Sequence, residues 1–195
     1  MIPVLENPDI RHRAVPISVQ TYHWMQQQGL VPGRAELIRG VIVEKMGQSP
    51  LHTGLTGHLW EVLLRGAGHQ CWVRKEDPLT LADSEPEPDV SIVNGRREDY
   101  ADHHPSTAEL VVEVSVTTES ADRAMLPAYA AAGVREVWLV LAGKQQVERY
   151  SAPAGGHYAG FVVFHAGETL LSTVLGDFSL PLLSELFKPA VSPPV

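Results

Sequence analysis

The 195-residue sequence has a single cysteine, Cys71, and lacks any long apolar run. One cysteine cannot form an internal disulfide or build a cysteine-based zinc site, which favours a reducing compartment. No segment has the apolar length that a membrane-spanning helix needs. The first 16 residues carry acids and prolines where a signal peptide has its apolar stretch. We therefore expect a cytoplasmic protein that does not enter a membrane.

Positive charge is also scarce, because 15 lysines and arginines face 23 aspartates and glutamates and leave a net charge of −8. This balance argues against broad electrostatic capture of nucleic acid, although it leaves room for a local basic patch or a metal-assisted site. The length suits one domain. Prolines near both ends predict an N-terminal arm over residues 1–16, a single domain over 17–187 and a flexible tail over 188–195.

Several motifs of well-known enzymes are missing. The sequence has neither the GxGxxG nor the GxxxxGK[ST] pattern that cradles phosphates. It also lacks the GxSxG nucleophile turn, the HExxH zinc motif and the protein-kinase set. These absences leave metal-assisted chemistry or plain binding as the remaining classes.

The hydrophobic pattern predicts an α/β fold with a mixed sheet and helices on its faces. Residues 35–46 predict a strand pair that turns at a glycine. Residues 109–116 are almost continuously apolar, which is typical of a buried central strand. A helix over 117–133 and a strand over 135–141 follow, so a parallel crossover is expected. The alternating segment 145–151 predicts an edge strand or a hairpin partner, and the segment LPLLSELF predicts a short helix near the C-terminus.

Two acidic residues are the main candidates for chemistry. Glu113 lies inside the most apolar strand, where a carboxylate needs a partner or a cation unless it faces solvent. Asp89 opens a short apolar strand 24 residues earlier, although a turn aspartate is the simpler interpretation of an isolated Pro-Asp. If the two strands are neighbours, the carboxylates repel unless a cation lies between them. All-oxygen ligands suit Mg²⁺ or Mn²⁺.

Other polar residues are weaker candidates. Glu36 precedes the first strand, where a surface glutamate is the default. His52 follows Pro50 at a predicted helix start, where a histidine is more often a cap or a surface residue. Ser115 lacks histidine and aspartate partners at a recognisable spacing, which favours a packed strand serine. The acidic loop over 82–88 is expected to be solvated.

Five segments occur in an order that resembles the Uma2 family of proposed endonucleases, within the restriction-endonuclease-like or PD-(D/E)xK superfamily. They are AELIRG, SPLHTGLTGHLWEVL, SEPEPDVSIV, LVVEVSVTTESADR and YAAAGVREVWLV. The resemblance runs from about Ile17 to Phe187. It implies a restriction-endonuclease-like core, meaning a central mixed sheet flanked by helices. It also implies a bound Mg²⁺ or Mn²⁺ and hydrolysis of phosphodiester bonds in nucleic acid, with DNA the expected substrate.

The resemblance also implies roles for individual residues. Asp89 matches the aspartate of the PD motif, Glu113 matches the following acidic residue, and Glu36 matches the acid near the first core strand. These three would be the catalytic acids. The metal ligands would be Asp89, Glu113 and the main-chain carbonyl of Val114. From their positions in the sequence, His52, Ser115 and Arg123 are candidate auxiliary residues.

The sequence departs from the family pattern at the catalytic lysine, whose place two residues after Glu113 is taken by Ser115. In the Uma2 family this lysine usually lies on the next helix, where the matching residue here is Met125. A methionine carries no charge and cannot donate a hydrogen bond to water. Arg123 or Lys75 could substitute. Two functions therefore stay open, an endonuclease with weakened cleavage and an inactive nuclease-like binding domain. A homodimer formed through an edge strand such as 145–151 is also possible.

Overall fold

The computed structural model describes residues 8–11, 13–45, 47–180 and 186–187. The helices are α1 (Pro8–Arg11), α2 (Val19–Gln27), α3 (Pro50–Gly66) and α4 (Glu119–Ala131). The strands are β1 (Ala35–Ile38), β2 (Val41–Glu44), β3 (Cys71–Lys75), β4 (Val90–Asn94), β5 (Leu110–Ser115), β6 (Glu136–Leu141), β7 (Gln146–Ala154), β8 (His157–His165), β9 (Leu170–Leu171) and β10 (Ser179–Leu180).

A six-stranded sheet forms the centre of the molecule, in the order β3-β4-β5-β6-β7-β8. Strands β5 and β6 are parallel and are joined through α4, whereas the other neighbours in this sheet are antiparallel. The predicted mixed sheet and its parallel crossover are therefore confirmed. The prediction of residues 145–151 as an edge strand is wrong, because β7 lies between β6 and β8. Its alternative, a hairpin partner, is confirmed by the β7–β8 pairing.

The two faces of this sheet bury two separate apolar clusters. On one face α3 contributes Leu59 and Leu63, which pack with Val112 of β5. On the other face α4 contributes Tyr129, which packs with Val111. Side chains alternate between the faces of a strand, so a strand covered on both sides must be apolar at almost every position. This alternation places the Glu113 side chain on the α4 face.

The β1–β2 hairpin forms a second, smaller sheet beside the acidic loop over 82–88. The Glu85 amide donates to the Leu37 carbonyl at 2.7 Å, and the Gly40 amide donates to the Asp83 carbonyl at 2.9 Å. Gly40 has φ of +76°, and a Cβ there would lie 2.3 Å from the Pro16 Cβ. Only glycine fits both the turn and this close approach. The hairpin is therefore held against the loop that leads to Asp89.

The same loop is not solvated as expected. Ser84, Glu85, Pro86 and Pro88 are buried. Glu85 tolerates burial because the Thr80 hydroxyl donates to its carboxylate at 2.7 Å and a ring nitrogen of His23 lies 2.6 Å away. The sequence misled here because its high density of acids and prolines is typical of exposed loops.

No helix in the described ranges combines the length and the apolarity required to cross a bilayer. The predicted C-terminal helix falls mostly outside the described residues, as does the proposed tail over 188–195. The division into an arm, one domain and a tail stays a prediction.

Candidate functional site

Asp89 and Glu113 lie side by side where β4 begins next to β5. The antiparallel register pairs Val90 with Val112, so the residue before β4 meets the residue that follows Val112. The Val114 amide donates to Asp89 Oδ2 at 2.7 Å. The Asp89 amide donates to Glu113 Oε2 at 3.3 Å. Each carboxylate is therefore held by the main chain of the other strand.

The Glu113 carboxylate is surrounded by other acids, and its hydrogen bonds do not balance their negative charge. Its pKa lies well above the usual value, first because of burial and second because of the charge of Asp89. The Tyr129 hydroxyl donates to Glu113 Oε1 at 2.6 Å and partly opposes this rise. The charges of Asp122 and Glu36 add to it. A proton or a cation is needed to stabilise this group of acids.

Glu36 approaches the pair from the β1–β2 hairpin. The Glu87 amide donates to Glu36 Oε1 at 2.9 Å, and the Lys45 ammonium lies 3.1 Å from the same oxygen. Lys45 also donates to Glu87 Oε2 at 2.8 Å. Burial raises the pKa of Glu36, and the charge of Lys45 works against that rise. The structure thus brings Glu36 within electrostatic reach of Glu113, as the charge coupling between them indicates.

His52 contacts the acidic pair from the first turn of α3. Its Nε2 lies 3.1 Å from Asp89 Oδ2, and this contact is the main reason its pKa is raised. Its Nδ1 is buried and has no hydrogen-bond partner in the described structure. Ser49 and Pro50 set the position of His52, since the Ser49 hydroxyl accepts from the His52 amide at 3.2 Å. His52 is therefore neither the helix cap nor a surface residue.

Ser115 connects β5 with the beginning of α4. Its hydroxyl donates to Asp122 Oδ2, which also accepts from the Thr118 hydroxyl at 2.6 Å. Burial raises the pKa of Asp122, and the charge of Asp89 raises it further. Ser115 is buried as expected. It also bonds to Asp122, whose pKa responds to the charge of Asp89.

Arg123, one of the two residues considered as replacements for the family lysine, pairs with other acids. Arg123 donates to Glu148 at 2.6 and 3.2 Å and to Glu119 at 3.2 Å. Met125 is buried in the apolar cluster on the α4 face. Lys75 is opposite Val90 in the β3–β4 register, one residue from Asp89.

Sequence reasoning missed three residues of the site, namely Lys45, Asp122 and Tyr129. Tyr129 follows Met125 by four residues, so the two share a face of α4, and that spacing was the available signal. Asp122 resembles an ordinary acid in the first turn of a helix. Lys45 follows an exposed strand, and no sequence pattern distinguishes it from a surface lysine.

The donor atoms at Asp89 and Glu113 are hard carboxylate oxygens, which fit Mg²⁺ or Mn²⁺ better than softer metals. The raised pKa of Glu113 beside Asp89 marks a place where a cation would relieve repulsion. In the described part of the chain, no three His, Cys, Asp or Glu side chains form a complete metal-binding group. Mg²⁺ commonly uses one or two carboxylates and several waters, so two side chains are sufficient.

The sheet order, the crossover through α4 and the helices on both faces define a nuclease fold. The profile of the Uma2 family, described as "Putative restriction endonuclease", matches residues 20–183, and the chain belongs to this family. A crystal structure described as "a putative nuclease belonging to DUF820 from Anabaena variabilis ATCC 29413" matches with a TM-score of 0.70. Sequence identity is 17%, and the match covers 88% of this chain and 98% of that one. No curated protein matches the chain. The resemblance and the fold class inferred from the sequence are confirmed.

Proposed function

We propose that this protein is a metal-dependent endonuclease that hydrolyses phosphodiester bonds in DNA. The observation that supports this most is the meeting of Asp89 and Glu113, each held by a main-chain amide next to the other. Acids that are brought together in this way raise the energy of the ion-free protein. A bound cation would relieve this repulsion and so stabilise the folded protein. Because the family is described as a restriction endonuclease family, a nuclease reaction is the best match.

The proposed site divides the work among residues of this chain. Asp89, Glu113 and the Val114 carbonyl would hold Mg²⁺ or Mn²⁺, which when bound supplies a Lewis acid for the phosphate and a water of lowered pKa. Tyr129 orients Glu113 through its 2.6 Å hydrogen bond. His52 orients Asp89 at 3.1 Å. These contacts keep both carboxylates in place before substrate arrives, which reduces the reorganisation needed during the reaction.

Lys45 is our candidate for the positive charge that Met125 cannot provide. Its ammonium lies between Glu36 and Glu87, at 3.1 and 2.8 Å. Its side chain is 20% exposed, so part of it remains accessible to solvent and to a bound phosphate. A lysine near the scissile group can offset the charge that develops at phosphorus.

Cleavage assays with a matched charge control test the proposal. Purified protein is incubated with plasmid and with single-stranded DNA in Mg²⁺, Mn²⁺ or EDTA. Asp89→Asn keeps the size of the side chain and removes its charge, and we expect a loss of roughly 100-fold or more in rate. The control Asp177→Asn removes the same charge from an exposed position near β10. An Asp89→Asn protein that cleaves as fast as the control contradicts the proposal.

A non-catalytic nuclease-like binding domain is the second candidate, and the observation that favours it is the buried, apolar Met125 at the lysine position. Calorimetric titration with Mn²⁺ separates the candidates. Heat of binding that disappears in Asp89→Ala supports the metal site, whereas no binding by either protein supports the second candidate. Met125→Lys is the companion test, because equal cleavage with and without the new lysine shows that Met125 does not limit the reaction.

The remaining sequence-based expectations are independent of this site. The cytoplasmic location stays a prediction, as does the homodimer. If strands pair between two copies, β3 and β8 are the edges of the central sheet that could do so, and Phe161 on β8 is 55% exposed.

A further inference from the structure

Arg74 is a buried cation whose one ion pair in the described structure, with Asp77, is long and half exposed. It lies on β3 opposite Ser91, two residues from Asp89. The residue is 3% exposed, and one of its terminal nitrogens donates to the Pro78 carbonyl at 2.8 Å. Its Nε makes no hydrogen bond and lies 3.7 Å from the carboxylate of Asp77, whose side chain is 46% exposed. Burial lowers the pKa of Arg74 despite the attraction of Asp77.

A cavity of about 290 Å³ opens beside this guanidinium, between β3 and the 3₁₀ helix Arg97–Tyr100. Arg97, which is exposed, contributes a second positive charge to its lining. Trp72 and Tyr100 stack with their ring centroids 5.9 Å apart, and the guanidinium of Arg74 lies 4.9 Å from the Trp72 ring. The cavity therefore combines two arginines and an aromatic wall with one acid, Asp77, whose side chain is half exposed.

The aromatic wall is fixed in position before any ligand binds. The Tyr100 hydroxyl donates to the Asn94 carbonyl at 2.7 Å, which ties the ring to the end of β4. Trp72 packs against the apolar cluster on the α4 face. Rigid aromatic rings lose little conformational entropy on binding, and nucleobases stack on them with little sequence preference.

The cavity also borders a larger cavity that reaches the loop before Asp89. A larger neighbouring cavity of about 650 Å³ shares Tyr100 and His104 with it and extends to Glu87. Glu87 accepts a hydrogen bond from Lys45, which in turn contacts Glu36. The larger cavity thus reaches Glu87, two residues before Asp89, and borders the cavity that holds the two arginines.

We propose that this cavity is a nucleic-acid subsite that binds a backbone phosphate between Arg74 and Arg97 and stacks the adjoining base on Tyr100. The inference rests on the proposed function and specifies its substrate as a strand with unpaired bases near the cleavage site. Arginine forms paired hydrogen bonds with phosphate oxygens, and a phosphate would give the Arg74 Nε a partner. A local site of this kind lets a protein of net charge −8 hold a polyanion without a basic surface.

Binding measured without cleavage tests the subsite. Fluorescence anisotropy of a labelled single-stranded oligonucleotide is followed in EDTA over a range of salt concentrations. Arg97→Ala and Arg74→Met should each reduce the slope of log affinity against log salt by up to about 0.7, which is the value for the one phosphate that the two arginines share. Methionine preserves the apolar packing of Arg74, and thermal unfolding verifies that the variant folds. The control Arg65→Ala removes a charge at the exposed end of α3 and should leave the slope unchanged.

The aromatic part of the subsite needs its own variant. Tyr100→Leu should lower affinity for the single strand by roughly tenfold without changing the salt slope, because stacking does not release counterions. Affinity for a blunt duplex of the same sequence should change less. An equal loss for single strand and duplex would contradict the stacking role.

The outcomes separate this subsite from the proposed function. If Arg65→Ala weakens binding as much as the two cavity variants, or if the wild-type protein binds no oligonucleotide, the subsite is wrong. If cleavage is intact and the cavity variants bind normally, the nuclease stands and the subsite fails. If binding depends on Arg74 and Arg97 but no divalent ion supports cleavage, the subsite stands and the nuclease fails.

Discussion

Two glutamates on neighbouring parallel strands, Glu113 of β5 and Glu136 of β6, show two ways of placing an acid in the sheet. Glu136 is fully buried and accepts from the Trp138 indole at 2.7 Å, the Ser172 hydroxyl at 3.0 Å and the Thr173 amide at 2.8 Å. The Thr173 hydroxyl adds a fourth donor. Glu113 instead accepts from one tyrosine and one amide and faces other carboxylates.

The difference teaches how to distinguish a structural acid from a functional one. Around Glu136 the protein provides enough neutral donors to satisfy both oxygens, so the carboxylate serves to connect β6 with the segment before β10. Around Glu113 the donors are too few and the neighbours repel. A buried charged group without enough hydrogen-bond donors or counterions is typical of a site that binds a ligand.

The largest expected effect is on stability, and it falls on the balanced acid. Glu136→Ala leaves the buried Trp138 and Ser172 donors without an acceptor, whereas the exposed Thr173 can bond to water, and we expect a cost of about 3 kcal/mol of unfolding free energy. Glu113→Gln keeps the volume and removes repulsion, so its unfolding free energy should fall no more than about 1 kcal/mol below wild type, and it should exceed wild type above the pKa of Glu113. Urea unfolding in EDTA measures both variants. Similar losses for the two would remove the distinction drawn above.

The next effect concerns divalent ions and belongs to the pair formed by Glu113 and Asp89. At an Mn²⁺ concentration 100 times its dissociation constant, the wild-type unfolding free energy should rise by about 2.7 kcal/mol. Asp89→Asn should abolish most of this gain, whereas Asp177→Asn should retain it. Urea unfolding with and without Mn²⁺ provides the measurement. A gain that persists in Asp89→Asn would place the ion elsewhere.

A pH dependence follows from the raised pKa of Glu113. The folded protein holds the Glu113 proton more tightly than the unfolded chain does, so protonation of Glu113 stabilises the fold. This stabilisation is complete below the ordinary glutamate pKa of about 4.3. It is lost as the pH rises through the higher pKa of the folded protein. The loss should be about 1.4 kcal/mol for each unit of upward shift. Unfolding midpoints in EDTA between pH 4 and 8 should decline more steeply for wild type than for Glu113→Gln. Parallel curves would show that Glu113 is not the group responsible.

The smallest effect concerns Lys45, whose side chain is 20% exposed. Lys45→Met removes the cation between Glu36 and Glu87 and should lower the unfolding free energy by about 1–2 kcal/mol, between the values for surface and buried pairs. Lys144→Met is the matched control, because the ion pair of Lys144 with Glu119 is more exposed and should contribute less than about 1 kcal/mol. Plasmid cleavage by the two variants shows in addition whether Lys45 supports the reaction.

Sequence patterns predicted the fold well because each one had a local physical cause. The continuous apolar run around Glu113 required a strand covered on both faces, and Ser49 with Pro50 marked the beginning of α3. Residues 145–151 were harder to place, because alternation shows only that one face is less buried and does not show how many neighbours a strand has.

The site was only partly predictable from the sequence, because local patterns do not show which distant residues come into contact. Glu113 was identifiable because an acid inside an apolar strand is unusual, and Asp89 because it could pair with Glu113 and matches the family motif. Lys45 and Asp122 were not, since each looks like an ordinary residue in its own segment and becomes part of the site through tertiary contacts. For Tyr129 the only signal was its helical spacing from Met125. The satisfied burial of Glu136 likewise depends on Ser172 and Thr173, which are distant in sequence.

The acids of this site belong to two sheets that share no strand, since Glu36 lies in the β1–β2 hairpin and Glu113 lies in the central sheet. The hairpin is attached to the loop over 82–88 by main-chain bonds such as that between Glu85 and Leu37, and by the contact of Lys45 with Glu87. The distance between Glu36 and Glu113 therefore depends on how a loop of the large sheet packs against the small one. A change in that packing would shift one acid and leave the other in its strand.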